Sequence, residues 1–181
     1  MLEPLPPSAE FPVLETPRLL LRRHRIEDFP AFRAMLGDPG VTRFLGGWPF
    51  SQEDAWNKFV RNAGHWPLLG FGFWILEEKS TGVFAGEVGL AYFFRELDPP
   101  AENLREAGWV LPASAHGKGY ATEAVSAALA WSDTRFRDPR TICLIHPENL
   151  ASLRVAEKCG FREFQRTTYK GEPALLLQCN R

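Results

Sequence analysis

The sequence has few cysteines, no long apolar run and no secretory signal. Its three cysteines, Cys143, Cys159 and Cys179, cannot all pair, and their spacing is not that of metal ligands. No stretch of eighteen apolar residues is present, so no segment is predicted to span a bilayer. Residues 1–7 lack a basic region followed by an apolar one, which argues against secretion. These absences predict a reduced, cytoplasmic protein with no metal site and no membrane partner.

The sequence also lacks an excess of charge of either sign. Its 21 Lys and Arg residues nearly balance 22 Asp and Glu residues, for a net charge of −1. Direct nucleic-acid binding is therefore not expected, since it needs clustered positive charge. Hydrophobic residues make up 45% of the chain and charged residues 24%, as is typical of globular proteins. We expect an irregular, proline-containing lead-in over residues 1–15 and one domain over residues 16–181.

Hydrophobic spacing predicts elements in the order β-α-α-β-β-β-α-β-α-β-β. The predicted strands cover residues 18–23, 71–76, 83–92, 106–111, 140–145, 161–168 and 174–179. The predicted helices cover residues 27–36, 51–62 and 149–159, and another begins at residue 119. The first of these helices should stop at residues 37–40, residues 79–82 should form a hairpin turn, and residues 97–103 should form a loop.

The predicted connections define the fold class. A strand, a helix and a strand follow one another over residues 106–145, and a right-handed crossover of this kind makes the two strands parallel. The remaining strands are joined by short turns and should be antiparallel. We therefore expect an α/β (α+β) fold, with one mixed, mostly antiparallel sheet flanked by helices.

A glycine-rich turn joins the strand ending at Leu111 to the next helix. Glycine allows a ligand to approach the backbone closely, and the first amides of a helix have no intrahelical acceptor. Such a helix start favours an anion, although an ordinary tight turn could have the same sequence. It has neither the P-loop pattern nor the dinucleotide-binding glycine pattern. The predicted diphosphate-binding residues are His116, Gly117, Lys118, Gly119, Tyr120 and Ala121.

Asn149 and Ser152 follow the second strand of the predicted parallel pair. Asn149 could simply cap the helix that starts there, and Ser152 could be an ordinary polar residue of its first turn. Where two parallel strands diverge, however, the next helix faces the gap, and ligands commonly bind there. Both residues are therefore candidates for cofactor binding and for catalysis.

The two segments together resemble the GCN5-related N-acetyltransferase (GNAT) superfamily, in particular its ribosomal-protein N-terminal acetyltransferase branch. Residues 117–124, Gly-Lys-Gly-Tyr-Ala-Thr-Glu-Ala, resemble its acetyl-CoA loop, and residues 149–161 resemble its next signature. Residues 16–22 and 82–89 resemble the opening strand and the central hairpin of that branch. The resemblance extends from residue 16 to about residue 178 and implies a parallel β-α-β unit splayed for CoA.

This resemblance implies acetyl transfer from acetyl-CoA to a primary amine by direct attack in a ternary complex, with no acyl-enzyme. Many family members have Gln or Arg where Ser114 stands, and Tyr where Ala156 stands. That Tyr protonates the departing CoA thiolate. Here either Ser152 does so or no acid is needed, since a thiolate with a pKa of about 8.5 is a tolerable leaving group.

An ammonium acceptor must lose a proton before it attacks, so a carboxylate, or a chain of water molecules that ends on one, is required as the base. Glu106 is the first candidate, because strand alternation places it on one face with Gly108 and Val110. Glu87, on the preceding strand, is the alternative, and each could instead be an exposed strand carboxylate. The backbone N–H of Val110 or Leu111 could stabilise the developing oxyanion.

Other features leave the acceptor and the assembly open. The acceptor could be a peptide or protein α-amine, a polyamine or a small amino compound, and the protein could be a monomer or a homodimer. A non-catalytic acyl-CoA-binding protein of the same fold is the alternative function. No partner can be identified for His24, His65 or His146. Six aromatic residues could form an apolar acceptor wall, although each is more typical of a core: Trp48, Phe50, Trp66, Phe71, Phe73 and Trp74.

Overall fold

The structure is a computed structural model that describes residues 11–102 and 104–180. The strands are β1 (Leu14–Glu15), β2 (Leu19–Arg22), β3 (Phe73–Glu78), β4 (Phe84–Ala91), β5 (Leu97–Asp98), β6 (Glu106–Val110), β7 (Arg140–Ile145), β8 (Arg162–Tyr169) and β9 (Glu172–Asn180). The helices are α1 (Phe29–Leu36), α2 (Pro39–Thr42), α3 (Gln52–Leu69), α4 (Tyr120–Asp133) and α5 (Leu150–Lys158). Short 3₁₀ turns cover Ile26–Asp28 and Ala113–Ala115.

The strands form one mixed sheet in the order β1-β2-β3-β4-β6-β7-β9-β8-β5. In the described sheet β6 and β7 run parallel, while every other pair of neighbours is antiparallel. The register of β6 and β7 holds a single pair, Glu106 opposite Ile142. The two strands therefore separate beyond this pair, which confirms the predicted fold class and its splayed parallel unit.

The two faces of the sheet bury different clusters. On one face α4 packs against β4 and β6, so that Val88, Leu90 and Ala107 share a core with Ala124 and Leu129. On the other face Ile75 packs with residues of α1 and α3 in a smaller cluster. Because side chains alternate along a strand, this second face also holds the side chains of Glu87, Glu106 and Val110.

Three predicted irregular segments contain short elements. Leu14–Glu15 pairs with β2, although the lead-in over residues 1–15 was expected to be irregular; residues 1–10 lie outside the described residues. Leu97–Asp98 pairs with β8 inside the predicted loop, whose last residue, Asn103, is also not described. Pro39–Thr42 forms α2 where a helix stop was predicted. There Asp38 accepts a hydrogen bond from the amide of Gly40 at 2.8 Å, so the Asp-Pro-Gly sequence begins a helix.

Helix α3 is longer than predicted. Its start is confirmed, since Ser51 Oγ accepts the amide hydrogen of Asp54 at 3.1 Å. The helix then continues past residue 62 and through Pro67 to Gly70, whose φ of 74° ends it. The indole N–H of Trp66 donates to the carbonyl of Phe73 at 2.8 Å, which joins the last turns of the helix to β3. No helix in the described ranges is both long and apolar enough to cross a membrane.

Candidate functional site

A cavity of about 580 Å³ opens where β6 and β7 separate. It extends from the turn before α4 to the sheet face under α3. Lys118 is the one predicted site residue that does not line it; this side chain is exposed, with Nζ 5.6 Å from the ring centroid of Tyr120. The predicted residues that the cavity brings together are Glu87, Glu106, Val110, Leu111, His116, Gly117, Gly119, Tyr120, Ala121, Asn149 and Ser152.

The turn before α4 presents backbone donors to this cavity. Gly117 and Gly119 have φ values of 74° and 80°, which only glycine adopts at little cost. The N–H of His116 already donates to the carbonyl of Ala113 at 3.1 Å, while residues 117–122 have N–H groups with no acceptor among the described residues. Free amides at a helix start favour an anion, so the donors that could hold a diphosphate begin at Gly117.

Thr16 and Arg18, which lie between β1 and β2, hold this turn in place through Lys118 and Glu123, and we call these four residues the Arg18–Glu123 latch. Arg18 donates from Nη1 to the carbonyl of Lys118 at 2.7 Å and from Nε to Glu123 Oε2 at 2.7 Å. Thr16 Oγ1 donates to Glu123 Oε1 at 2.6 Å. Burial alone would raise the pKa of Glu123, but the hydrogen bonds from Thr16 and Arg18 outweigh it and lower that pKa. The latch joins the carbonyl side of the turn to the residues that precede β2 and leaves the N–H groups of the turn facing the cavity.

The side chain of Tyr120 also lies outside the phosphate-facing part of the turn. Its hydroxyl donates to a carboxylate oxygen of Glu78, and this hydrogen bond raises the pKa of Tyr120. The ring lies beside the Arg18 guanidinium, 4.8 Å from ring centroid to Cζ. Tyr120 therefore offers the cavity its backbone N–H and not its phenol.

Asn149 caps α5, which is one of the two roles that the sequence left open for it. Its side-chain oxygen accepts the backbone N–H of Ser152 at 3.2 Å. Both residues also line the cavity, so the cap does not remove them from the site. Ala156 is fully buried in the core and is not a lining residue. Many members of the superfamily that the sequence resembles have Tyr at this position. Because Ala156 stands there, the position supplies no acid in this protein.

Glu106 is buried and paired, so its interpretation as an exposed carboxylate is wrong. It is 5% exposed, and Arg95 donates to both of its oxygens, from Nε at 2.7 Å and from Nη2 at 2.6 Å. Burial raises the pKa of Glu106, while the Arg95 guanidinium acts in the opposite direction. Arg95 itself lies over the rings of Phe93 and Tyr169, with Cζ 4.6 and 4.7 Å from their centroids.

Glu87 is buried more deeply, at 1% exposure, and an exposed position is wrong for this residue too. One oxygen lies 2.7 Å from His24 Nε2, and the other accepts from Asn62 Nδ2 at 2.8 Å. Glu87 lies on β4 and pairs in register with Val110 of β6, in the part of β6 that has separated from β7. This places a fixed carboxylate beside Val110.

Several lining residues were not found from the sequence, including Lys58, Phe93, Arg95 and Lys158. One pattern could have indicated part of the set: Lys58, Asn62 and His65 recur at helical spacing along α3. Nothing in the sequence pairs Asn62 with Glu87 or Arg95 with Glu106, because these contacts arise only when the sheet forms.

Most of the six aromatic residues that could have formed an acceptor wall belong instead to the core, the more typical place for them. Of those six residues, Phe73 lines the cavity in the described structure, while Phe71 and Trp74 are fully buried in the core. Trp66 and Phe50 pack against the two core clusters, and Trp48 is 80% exposed. Within the ranges that the structure describes, no group of three His, Cys, Asp or Glu residues could hold a metal ion.

Comparison with known proteins places this architecture among acetyltransferases. The family profile described as acetyltransferase (GNAT) domain matches residues 18–162. An uncharacterized N-acetyltransferase of Bacillus subtilis, YnaD, is 29% identical over 82% of each chain. A putative GNAT-family acetyltransferase from Bordetella pertussis is 31% identical, with a TM-score of 0.80 over 93% of this chain and 99% of that one.

A more distant structure shares the fold alone. It is a spermidine N-acetyltransferase from Vibrio cholerae in complex with CoA and spermine, 18% identical to this chain. Its TM-score is 0.66, over 90% of this chain and 94% of that one. Proteins of this fold thus include one that binds CoA.

Proposed function

Since the chain belongs to the GNAT acetyltransferase family, we propose that it transfers an acetyl group from acetyl-CoA to a primary amine by direct attack in a ternary complex. One observation carries the proposal. A single cavity joins the free N–H groups of residues 117–122 to a sheet face that holds two buried carboxylates, Glu87 and Glu106. Donors for a cofactor diphosphate and acceptors for an amine proton thus share one cavity.

The residues of the cavity fit acetyl-CoA in two respects. The N–H groups of residues 117–122 are donors that suit a diphosphate, and the latch fixes their direction. The gap between β6 and β7 exposes strand edges to which an extended pantetheine amide could hydrogen-bond. In this arrangement the backbone N–H of Leu111 donates to the thioester oxygen and stabilises the charge that develops on it. The N–H of Val110 points the other way, toward its register partner Glu87 on β4, because Arg105 and the alternate residues that follow it face β7.

We assign the proton-accepting role to Glu87. Its carboxylate is held in place by His24 and Asn62, and each oxygen keeps a lone pair for a further donor. Its register partner, Val110, lies at the proposed thioester position. An amine bound between them would have its proton acceptor on one side and the carbonyl carbon on the other, the geometry that general-base catalysis requires.

Glu106 has a different part in this proposal. Both of its oxygens already accept hydrogen bonds from Arg95, so an amine proton would have to compete with a bidentate ion pair. We therefore assign to Glu106 the role of positioning Arg95. It also shapes the part of the cavity lined by Lys58, Glu87, Arg95 and Glu106, which we call the acceptor end. Ser152 lines the cavity on the other side and is the candidate proton donor to the departing thiolate, if that thiolate needs one.

The test is turnover with acetyl-CoA and a panel of primary amines, with release of free CoA as the readout and the acetylated product identified by its mass. Acetylation of an amine in the panel supports the proposal. The alternative function, non-catalytic acyl-CoA binding, predicts calorimetric binding of acetyl-CoA with no acetylated product from any peptide, polyamine or small amine.

A further inference from the structure

Lys58 projects from α3 into the acceptor end of the cavity, which it lines together with Glu87, Glu106 and Arg95. Its side chain forms no hydrogen bond or ion pair with any residue in the described ranges 11–102 and 104–180. Burial lowers the pKa of the Lys58 amine, and the charges of Arg61 and Arg95 act in the same direction, against Glu87 and Glu106. The residue is half-buried, so water solvates a cation here less well than on the surface, and an anionic ligand would stabilise it.

The two nearby carboxylates do not provide that compensation. Glu106 is held by two hydrogen bonds from Arg95, and Glu87 is held by His24 and Asn62. A proposed catalytic carboxylate that folded onto Lys58 would also lose its place in the site. The acceptor end of the cavity thus has both of its anions engaged and one cation open to a ligand.

We propose that the acceptor molecule has an anionic group, a carboxylate in the simplest case, in addition to its primary amine, and that Lys58 binds this group. The inference rests on the proposed function, since it names the class of acceptor for the same reaction. The amine end of the acceptor reaches Glu87 and the thioester, while the anionic end neutralises Lys58. Such an ion pair in a partly enclosed cavity is stronger than one on the surface.

The same charges work against polycations. A polyamine has further ammonium groups that need free carboxylates, and in the described cavity both Glu87 and Glu106 already have protein donors. Lys58, whose charge is not paired, would repel the additional ammonium groups. Of the three acceptor classes that the sequence leaves open, a small amino compound with an acidic group fits these charges best.

The experiment compares acceptors that differ only in the anionic group. Amino acids from glycine to 6-aminohexanoate, with the amine at the chain end, are paired with their amides, and spermidine represents the polycations. For the best-fitting length we expect kcat/KM to be about 10- to 100-fold higher for the carboxylate than for its amide. In Lys58→Met, which keeps an unbranched stem of similar length, this ratio should fall toward one, and in Lys58→Arg it should persist. Differences in amine pKa within a pair cancel when variants are compared.

Arg61→Met is the matched control, because it removes a cation from the same helix at a position that does not line the cavity. The charge of Arg61 acts on the pKa of Lys58, but Lys58 itself stays in the cavity, so the carboxylate-to-amide ratio should change much less than in Lys58→Met. If amines are acetylated but no carboxylate exceeds its amide, or if Lys58→Met keeps the ratio, this inference is overturned while the proposed function stands. If spermidine is the best acceptor, this inference is likewise overturned while the proposed function stands. If no amine is acetylated while acetyl-CoA binds, the proposed function fails, and this inference fails with it.

Discussion

Arg18 and Glu123 form an ion pair with Nη2 2.6 Å from Oε2, and this pair joins the residues that precede β2 to the helix that follows the glycine turn. Arg18 also donates to the carbonyl of Lys118, inside the turn itself. One guanidinium thus contacts both the glycine turn and the helix that follows it. The direction of the free N–H groups of the turn therefore depends on a residue about 100 positions away in the sequence.

Removing the latch should weaken acetyl-CoA binding. In Arg18→Met the carbonyl of Lys118 loses its donor, the turn gains freedom, and binding must then order it. We expect the dissociation constant for acetyl-CoA to rise about 10-fold in calorimetry, corresponding to one charge-assisted hydrogen bond. Lys118→Ala is the control, because that side chain is exposed and does not line the cavity, so its effect should be smaller. Equal affinities for Arg18→Met and wild type would show that the turn is rigid without the latch.

The latch should also make stability depend on acid pH. The pKa of Glu123 is lower in the folded protein than its ordinary value of about 4.3 to 4.5. Its contribution is therefore fully present above that ordinary value and is lost as the pH falls through the lower, folded pKa. The difference in free energy of unfolding between wild type and Glu123→Gln should be constant from pH 7 to about pH 5.5 and should shrink below pH 4. Urea titrations over this range measure it, and a difference that grows on acidification would contradict the assigned direction.

Gly119→Val should abolish acetyl-CoA binding for reasons of both conformation and space. The φ of 80° disfavours a β-branched residue by about 1–2 kcal/mol, and a Cβ would meet Arg18 Nη2 at 3.4 Å. The added side chain would also stand among the free N–H groups that face the cavity. Gly82→Val is the matched control, since Gly82 has a φ of 69° in the β3–β4 turn with no atom within 4 Å of its Cβ position. Both variants should lose similar stability, and Gly82→Val alone should bind acetyl-CoA normally.

The turn before α4 and the start of α5 could be predicted from the sequence because each depends on local geometry. Glycine at Gly117 and Gly119 and the amide side chain of Asn149 satisfy requirements set within a few residues. The parallel direction of β6 and β7 was expected from the strand-helix-strand crossover, and their splay was expected from the family resemblance. These features need no knowledge of distant contacts.

The acceptor end of the cavity could not be predicted, because its pairs join residues on different elements that meet only in the folded sheet. His24 lies 63 positions from Glu87, and Asn62 lies 25 positions from it. The choice between an acceptor wall and the core stayed open for the aromatic residues for a related reason: composition indicates apolar side chains but not which face of the sheet they occupy. Phe73 lies under the cavity, while its neighbour Trp74 points to the opposite face, as strand alternation requires.

Asn149 and Ser152 should separate into a structural and a catalytic effect. Asn149→Ala removes the acceptor for the Ser152 N–H and should cost about 1 kcal/mol of stability. Ser152→Ala keeps that backbone bond, so its melting temperature should change little. If its hydroxyl protonates the CoA thiolate, kcat should fall while acetyl-CoA affinity stays within a few-fold. Unchanged kcat in Ser152→Ala would mean that the thiolate leaves without an acid.

Glu87→Gln tests the proposed base. Glutamine keeps the size of the side chain and one oxygen acceptor but cannot take a proton from the amine. We expect kcat/KM to fall about 10²- to 10⁴-fold at neutral pH. The loss should shrink as the pH rises toward the pKa of the acceptor amine, because a growing fraction of the amine then arrives already neutral. Steady-state rates from pH 7 to pH 9.5 measure this convergence.

Glu106→Gln should behave differently, because it breaks the bidentate pair with Arg95 and leaves that partly buried guanidinium without its counter-charge. We expect a lower melting temperature and a raised KM for the amine, with a defect of similar size at pH 7 and pH 9.5. The two profiles distinguish the two carboxylates. If the pH-dependent loss appears in Glu106→Gln while Glu87→Gln remains active at neutral pH, the roles are reversed: Glu106 is the base, and the His24–Glu87–Asn62 group is a structural support beneath it.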